Sequence, residues 1–130
     1  LELLTEMTAE AWLGKDQRYG AMLKQAGPAY TAFAGMDVIA CAGAFQLWEG
    51  RAQAWSMLSV AVPQYILGVH RAVKRFLDEY PVRRVEITVD PRSDKAVAWA
   101  KSLGFRYEGT MPGYTPQGDT MDLYARVRWR

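Results

Sequence analysis

The chain has 130 residues, 50% of them hydrophobic, which suits one domain with a real core and excludes a disordered chain. Its 16 basic and 14 acidic residues leave a net charge of +2, too small for a nucleic-acid footprint. No apolar run approaches the roughly 20 residues of a membrane helix, no signal peptide is read, and the single cysteine excludes an internal disulfide.

Leu1 to Leu13 reads as a helix with an approximate apolar face of Leu3, Leu4, Met7, Ala11 and Trp12, broken at Gly14. Lys15 to Gln25 reads as a second helix, ended by Ala26-Gly27-Pro28. Ala29 to Ala34 is a short strand, and Gly35-Met36-Asp37 a turn. Val38 to Trp48 is a longer strand. Cys41 lies inside it and reads as a small buried hydrophobe rather than a nucleophile. Glu49-Gly50 fits a hairpin turn, since glycine takes positive φ cheaply, and Arg51 to Val60 returns as the partner strand.

Gly68 to Tyr80 is the clearest helix. Val69, Val73, Phe76, Leu77 and Tyr80 form one stripe, with Arg71, Lys74, Arg75, Asp78 and Glu79 off it, and Pro81 follows the end. Val85, Ile87 and Val89 alternate with Arg84, Glu86 and Thr88, the period of a half-buried strand, which Asp90-Pro91 ends. Ser93 or Asp94 can cap the next helix, whose Ala96, Trp99, Ala100 and Leu103 recur at helical spacing. Gly104 stops it. Two strands follow, near Phe105 to Thr110 and Met121 to Arg128, joined by a loop rich in proline and glycine. The order ααβββαβαββ predicts one mixed α/β layer with helices on both faces of a sheet, as a single domain over residues 1–130. Nine basic residues fall between Gly68 and Gly109. They read as a solvated face, or as a surface that accepts cofactor phosphates.

Ala96-x-x-Trp99-x-x-x-Leu103-Gly104-Phe105-x-x-x-Gly109, following a strand, resembles the second half of the GNAT acyltransferase fold. The element order resembles the rest of that fold, apart from its first strand, which the resemblance places before Leu1. It implies a mostly antiparallel sheet splayed between its fourth and fifth strands. It also implies acetyl-CoA as co-substrate and an amine acceptor, either a small molecule or a protein N-terminus or lysine. No nucleic acid, membrane or metal is implied, the location is cytoplasmic, and a homodimer could hide the edge near Leu123 to Trp129.

The resemblance assigns positions. The segment from Val60 to Arg71 stands where GNAT proteins carry (Q/R)-x-x-G-x-(G/A), a phosphate-binding loop that opens a helix. Pro63-Gln64-Tyr65 resembles its start and Gly68-Val69-His70-Arg71 its end, with Tyr65 and Gly68 one residue too close and His70 replacing a small residue. Leu58, Ser59 and Val60 would offer strand backbone to the pantetheine arm. Ser93 aligns with an asparagine often found in the family, and Ala100 with the tyrosine that often protonates the leaving thiolate. Glu86 stands where a general base is sometimes placed, or reads as an exposed carboxylate paired with Arg84 or Arg106. Tyr114 could shape an acceptor pocket or donate a proton, or be a surface turn residue. Trp48 and Trp55, flanking the hairpin, fit cross-strand aromatic packing. The pattern of LWEGRAQAWSML and LGFRYEGTMPGYTPQGDTMDLYARV further resembles a compact bacteriophage branch, related to internal virion or morphogenesis proteins of short-tailed phages. That branch implies a protein that acts through contacts without catalysis as the alternative to an N-acyltransferase.

Overall fold

The computed structural model describes residues 4–6, 27–58 and 62–128. Among the described residues, hydrogen bonds join seven strands in the order β1-β2-β3-β4-β5-β7-β6. They are β1 (Leu4–Glu6), β2 (Ala29–Ala34), β3 (Asp37–Trp48), β4 (Arg51–Leu58), β5 (Arg84–Val89), β6 (Arg106–Met111) and β7 (Met121–Val127). Two α-helices, α1 (Ile66–Glu79) and α2 (Asp94–Ser102), follow β4 and β5. The fold divides into two compact units, Leu1–Gln46 with Ala54–Pro81, and Leu47–Gln53 with Val82–Arg130.

In the first unit, β2 pairs antiparallel with β1 on one side and with β3 on the other. The strand expected before Leu1 is therefore inside the chain. Leu4, Thr5 and Glu6 face Ala32, Thr31 and Tyr30. The helix read over Leu1 to Leu13 is corrected at these residues, because ladder bonds to β2 outweigh a weak helical period. The rest of that helix, and the second one over Lys15 to Gln25, lie outside the described residues. Both faces of β2 and β3 are covered, and most side chains buried there are small: Ala29, Ala32, Ala40, Cys41 and Ala44, together with Ile39. Thr31 sits opposite Cys41, and its Oγ1 lies 3.8 Å from the thiol sulfur. Burial pushes the Cys41 thiol above its ordinary pKa, as suits a core hydrophobe.

A close approach fixes the entry to β2. The Ala44 N–H donates to the Pro28 carbonyl. A Cβ on Gly43 would stand 2.5 Å from that carbonyl oxygen and 2.7 Å from the Trp55 ring. Trp55 is half-buried against Ala29 and Cys41, which accounts for it without a partner tryptophan.

α1 begins at Ile66, two residues earlier than the stripe predicted, because a 3₁₀ turn over Val62–Tyr65 runs straight into it. Val69 and Leu77 are buried beneath it. Its end is clean: the Tyr80 N–H donates to the Phe76 carbonyl while Tyr80 itself turns extended ahead of Pro81.

In the second unit, β5 pairs antiparallel with β7 over six residue pairs, and β7 pairs with β6. The sheet edge is thus β6, and the expected edge near Leu123 to Trp129 is corrected: β7 is inserted between β5 and β6. Insertion buries Tyr124 and Ala125 on its two faces, which a last strand at the edge would leave in water. β4 enters this unit only with Arg51, Ala52 and Gln53, paired parallel with Arg84, Val85 and Glu86.

α2 starts and stops as its sequence dictates. Ser93 is the N-cap, its Oγ accepting from the Ala96 N–H at 3.1 Å, with Asp94 in the first turn. Gly104 has φ 93°, the left-handed stop, and the Phe105 N–H returns to the Ala100 carbonyl. Ala100, Leu103 and Phe105 are buried with Val85, Val89 and Tyr124.

Candidate active site

The phosphate-loop positions share one local structure. Tyr65 is the N-cap of α1, yet it gives no side-chain hydrogen bond, and no acidic residue lies in the first turn. The amides of that turn have neither hydroxyl nor carboxylate as a cap. The helix has 14 residues, so its positive end is fully developed there. Gly68 falls inside the first helical turn rather than in a loop. Val69 is buried at 1% and presents neither side chain nor backbone to solvent. Leu67 is 71% exposed, so it does not fold over the helix end into the core. His70 is half-buried and Arg71 is exposed. Leu58, at the end of β4, is 40% exposed. Ser59 and Val60 lie outside the described residues.

Glu86 has a different setting from the one its strand pattern suggests. It is 6% exposed, on the face of β5 opposite Val85 and Val89. The Arg51 guanidinium donates to it twice, Nε to Oε2 at 2.6 Å and Nη2 to Oε1 at 2.9 Å. Arg84 Nε donates to Oε2 at 2.6 Å. Arg106, the other expected partner, is not among these donors. The reading as an exposed carboxylate is corrected: the β4 side chain of Arg51 and the β5 side chain of Arg84 close over it. Arg84 also holds Glu108, through Nη1 to Oε2 at 3.0 Å and a second bond from Nη2 to Oε1. It can cross β7 because Ala125, opposite Glu86 and Arg106, is small. The bonds from Arg51, with those from Arg84, hold the Glu86 carboxyl below its ordinary pKa, although burial pulls the other way. Glu108 and Glu86 together push the Arg84 guanidinium up. A carboxylate so held is a poor proton acceptor, since a general base works best with a pKa near the working pH.

Trp48 is 62% exposed at the hairpin, and the Arg51 guanidinium lies 4.3 Å from its ring centroid. The tryptophan is explained by this cation–π stack. Tyr114 is 50% exposed in the β6–β7 loop. That loop is held by its own backbone: the N–H groups of Tyr114 and Thr115 both donate to the Asp119 carbonyl, and Thr115 Oγ1 accepts from the Asp119 N–H. Ser93 Oγ is engaged as the α2 cap, and Ala100, at the family's tyrosine position, is 3% exposed.

Arg51 is what residue-by-residue reading missed around Glu86, whereas Arg84 was one of the two partners expected for it. Its signal is the parallel β4–β5 pairing, which brings Arg51 to a carboxylate 35 residues along the chain and is invisible to local periodicity. Among the described residues, no group of three or more His, Cys, Asp or Glu could hold a metal ion, and no helix is long and apolar enough to cross a membrane.

No protein-family model and no curated protein matches the chain. Solved structures do. An IAA acetyltransferase from Bacillus cereus aligns with TM-score 0.77 at 15% identity, over 97% of this chain and 99% of that one. Ard1 from Thermoplasma volcanium gives 0.77 at 14% identity, over 98% and 97%. A GNAT-family acetyltransferase from Streptococcus pneumoniae gives 0.65 at 13%, over 86% and 74%. The chain has the α/β GNAT acetyltransferase fold. At such identities the likeness is one of backbone architecture, and what the chain does must be argued from its own residues.

Proposed function

We propose that this chain is an acyl-CoA-dependent N-acyltransferase that takes its acyl group from acetyl-CoA. One observation carries the reading: in a GNAT fold, the strand β4 leads into a long helix whose first turn has no side-chain cap and no acid. Such an end attracts the pyrophosphate of a coenzyme. The amide of Gly68 would face the anion, with His70 and Arg71 as side-chain donors, while Val69, buried beneath the helix, anchors the turn. The backbone of Leu58, Ser59 and Val60 would receive the pantetheine arm. Ser93 supports the reading only as a helix cap, since its hydroxyl is already used.

The amine nitrogen attacks the thioester carbonyl, an oxyanion forms, and the carbon–sulfur bond breaks to leave coenzyme A thiolate. The amine proton must leave and the thiolate must gain one. Glu86, locked between Arg51 and Arg84, suits an electrostatic and positioning part better than proton abstraction, which leaves water to carry the amine proton. Tyr114, on a rigid exposed loop, is assigned to the acceptor side. The acceptor is an amine on a small molecule or a protein terminus or lysine, and the reaction is placed in the cytoplasm.

Calorimetric titration with acetyl-CoA, coupled to thiol release with an amine panel, tests this. Saturable binding that weakens in Arg71→Ala is expected. No heat and no thermal shift at millimolar acetyl-CoA would remove the reading. A second reading has its own support in the buried Ala100: a GNAT-shaped protein of the phage-encoded branch, acting in assembly or host contact without turnover. Thiol release lost on altering the β4–α1 junction would eliminate that alternative.

A further inference from the structure

The edge of α1's apolar stripe, where Phe76 and Tyr80 meet the charged side of the helix, borders a separate concavity. Arg75, Phe76, Glu79 and Tyr80, with Pro28 and Tyr30 across from them, line an open cavity of about 400 Å³. That volume lies within the range of about 300–1,000 Å³ typical of small-molecule sites. Its wall is aromatic. The Tyr30 and Phe76 rings meet edge to face at 5.8 Å, and Phe76 stacks on Tyr80 at 5.1 Å. Its rim is charged with both signs. Arg75 and Glu79 stand four apart on the helix and do not pair with each other, whereas Lys74 and Asp78, one residue earlier, close a bridge at 3.2 Å. Both rim side chains are exposed, and both belong to the cavity lining.

A wall of three rings flanked by one unpaired cation and one unpaired anion has a complementary ligand: an apolar, flat body carrying both charges close together. We propose that this cavity binds a free α-amino acid with an aromatic side chain. Arg75 takes the carboxylate, Glu79 the ammonium, and the side chain packs against Tyr30, Phe76 and Tyr80. Residues four apart on a helix hold their Cβ atoms only about 5–6 Å from each other, so two flexible side chains can converge on groups separated by one carbon. Single charges of either sign satisfy only half of the rim. The site is lined by α1 beyond its first turn and by the start of β2, so it is independent of the proposed acyl-CoA reading.

The test is an NMR titration of the isotope-labelled full chain with L-phenylalanine, N-acetyl-L-phenylalanine and L-phenylalaninamide, the last two each lacking one charge. Saturable shifts at millimolar L-phenylalanine are expected at Tyr30 and in the second half of α1. Each blocked analogue should bind at least about threefold more weakly, as should Arg75→Ala and Glu79→Ala, since partly exposed ion pairs contribute modestly. Both substitutions are at the surface, and unchanged spectra elsewhere report that the fold persists. Absence of saturation overturns the proposal. So does equal binding of all three compounds, which would mean a generic aromatic patch, or loss with only one analogue, which would mean a site for a single charge.

Discussion

Replacing Glu86 probes the ion cluster of the second unit directly. Glu86 accepts three charge-assisted bonds, two from Arg51 and one from Arg84, at 2.6 to 2.9 Å. Removing one member of a buried pair costs about 3–5 kcal/mol when the remaining charge is sealed from water. Here the side chains of Arg51 and Arg84 are 31% and 28% exposed, so water can replace part of what they lose. Arg84 also keeps Glu108. The expected loss for Glu86→Ala is therefore about 2–3 kcal/mol, and for Glu86→Gln, which keeps shape and an acceptor, about 1–2 kcal/mol. The assay is urea unfolding at neutral pH, with unchanged m-values as the sign of a comparable transition. The pH dependence gives a second readout. The folded pKa of Glu86 is depressed, so its contribution is fully present above the unfolded value of about 4.3 and lost as pH falls through the folded value. The gap between the native chain and Glu86→Gln should therefore narrow as pH is lowered below about 4. A loss under about 0.5 kcal/mol at pH 7, or a gap that stays constant down to the acid limit of folding, would refute the reasoning.

Gly43→Ala should cost about 3 kcal/mol in thermal or urea unfolding, because its Cβ would stand 2.5 Å from a backbone oxygen that cannot step aside. Ser93→Ala removes the α2 cap and should cost about 1 kcal/mol, with Ser93→Asp restoring most of it. Gly104→Ala forces a side chain into φ 93° beside Arg126 Nε, at 3.2 Å, and should cost about 1–2 kcal/mol. For both α2 substitutions, amide exchange should rise first in Asp94–Ser102, and uniform change across the chain would contradict the local account.

What the sequence reveals here follows from the range of the forces involved. Ser93, Gly104, Gly50 and the stripe Val69-Val73-Phe76-Leu77 act within a few residues, so caps, stops and faces could be read directly. Strand existence was legible for the same reason. Strand neighbours were less so: the place of β7 between β5 and β6 depends on which faces of Tyr124 and Ala125 become covered. β1 was missed because three residues carry too little pattern to compete with an adjacent helical period. Glu86 looked exposed because its strand alternates hydrophobic and polar residues, and only the arginines brought in by β4 and β5 explain how a carboxylate stays buried. The aromatic cavity was likewise hidden, since Tyr30 and Phe76 are far apart in the chain.

Cys41 gives the molecule a built-in reporter. The chain has one thiol, fully buried between neighbouring strands of the first unit, with its reactivity suppressed by burial. A disulfide-exchange reagent can reach it only when the first unit opens around it, so its rate of labelling counts those openings. The second unit has no thiol and is silent in such an experiment. Labelling compared with global unfolding would therefore reveal whether the two units open together or whether one lets go first.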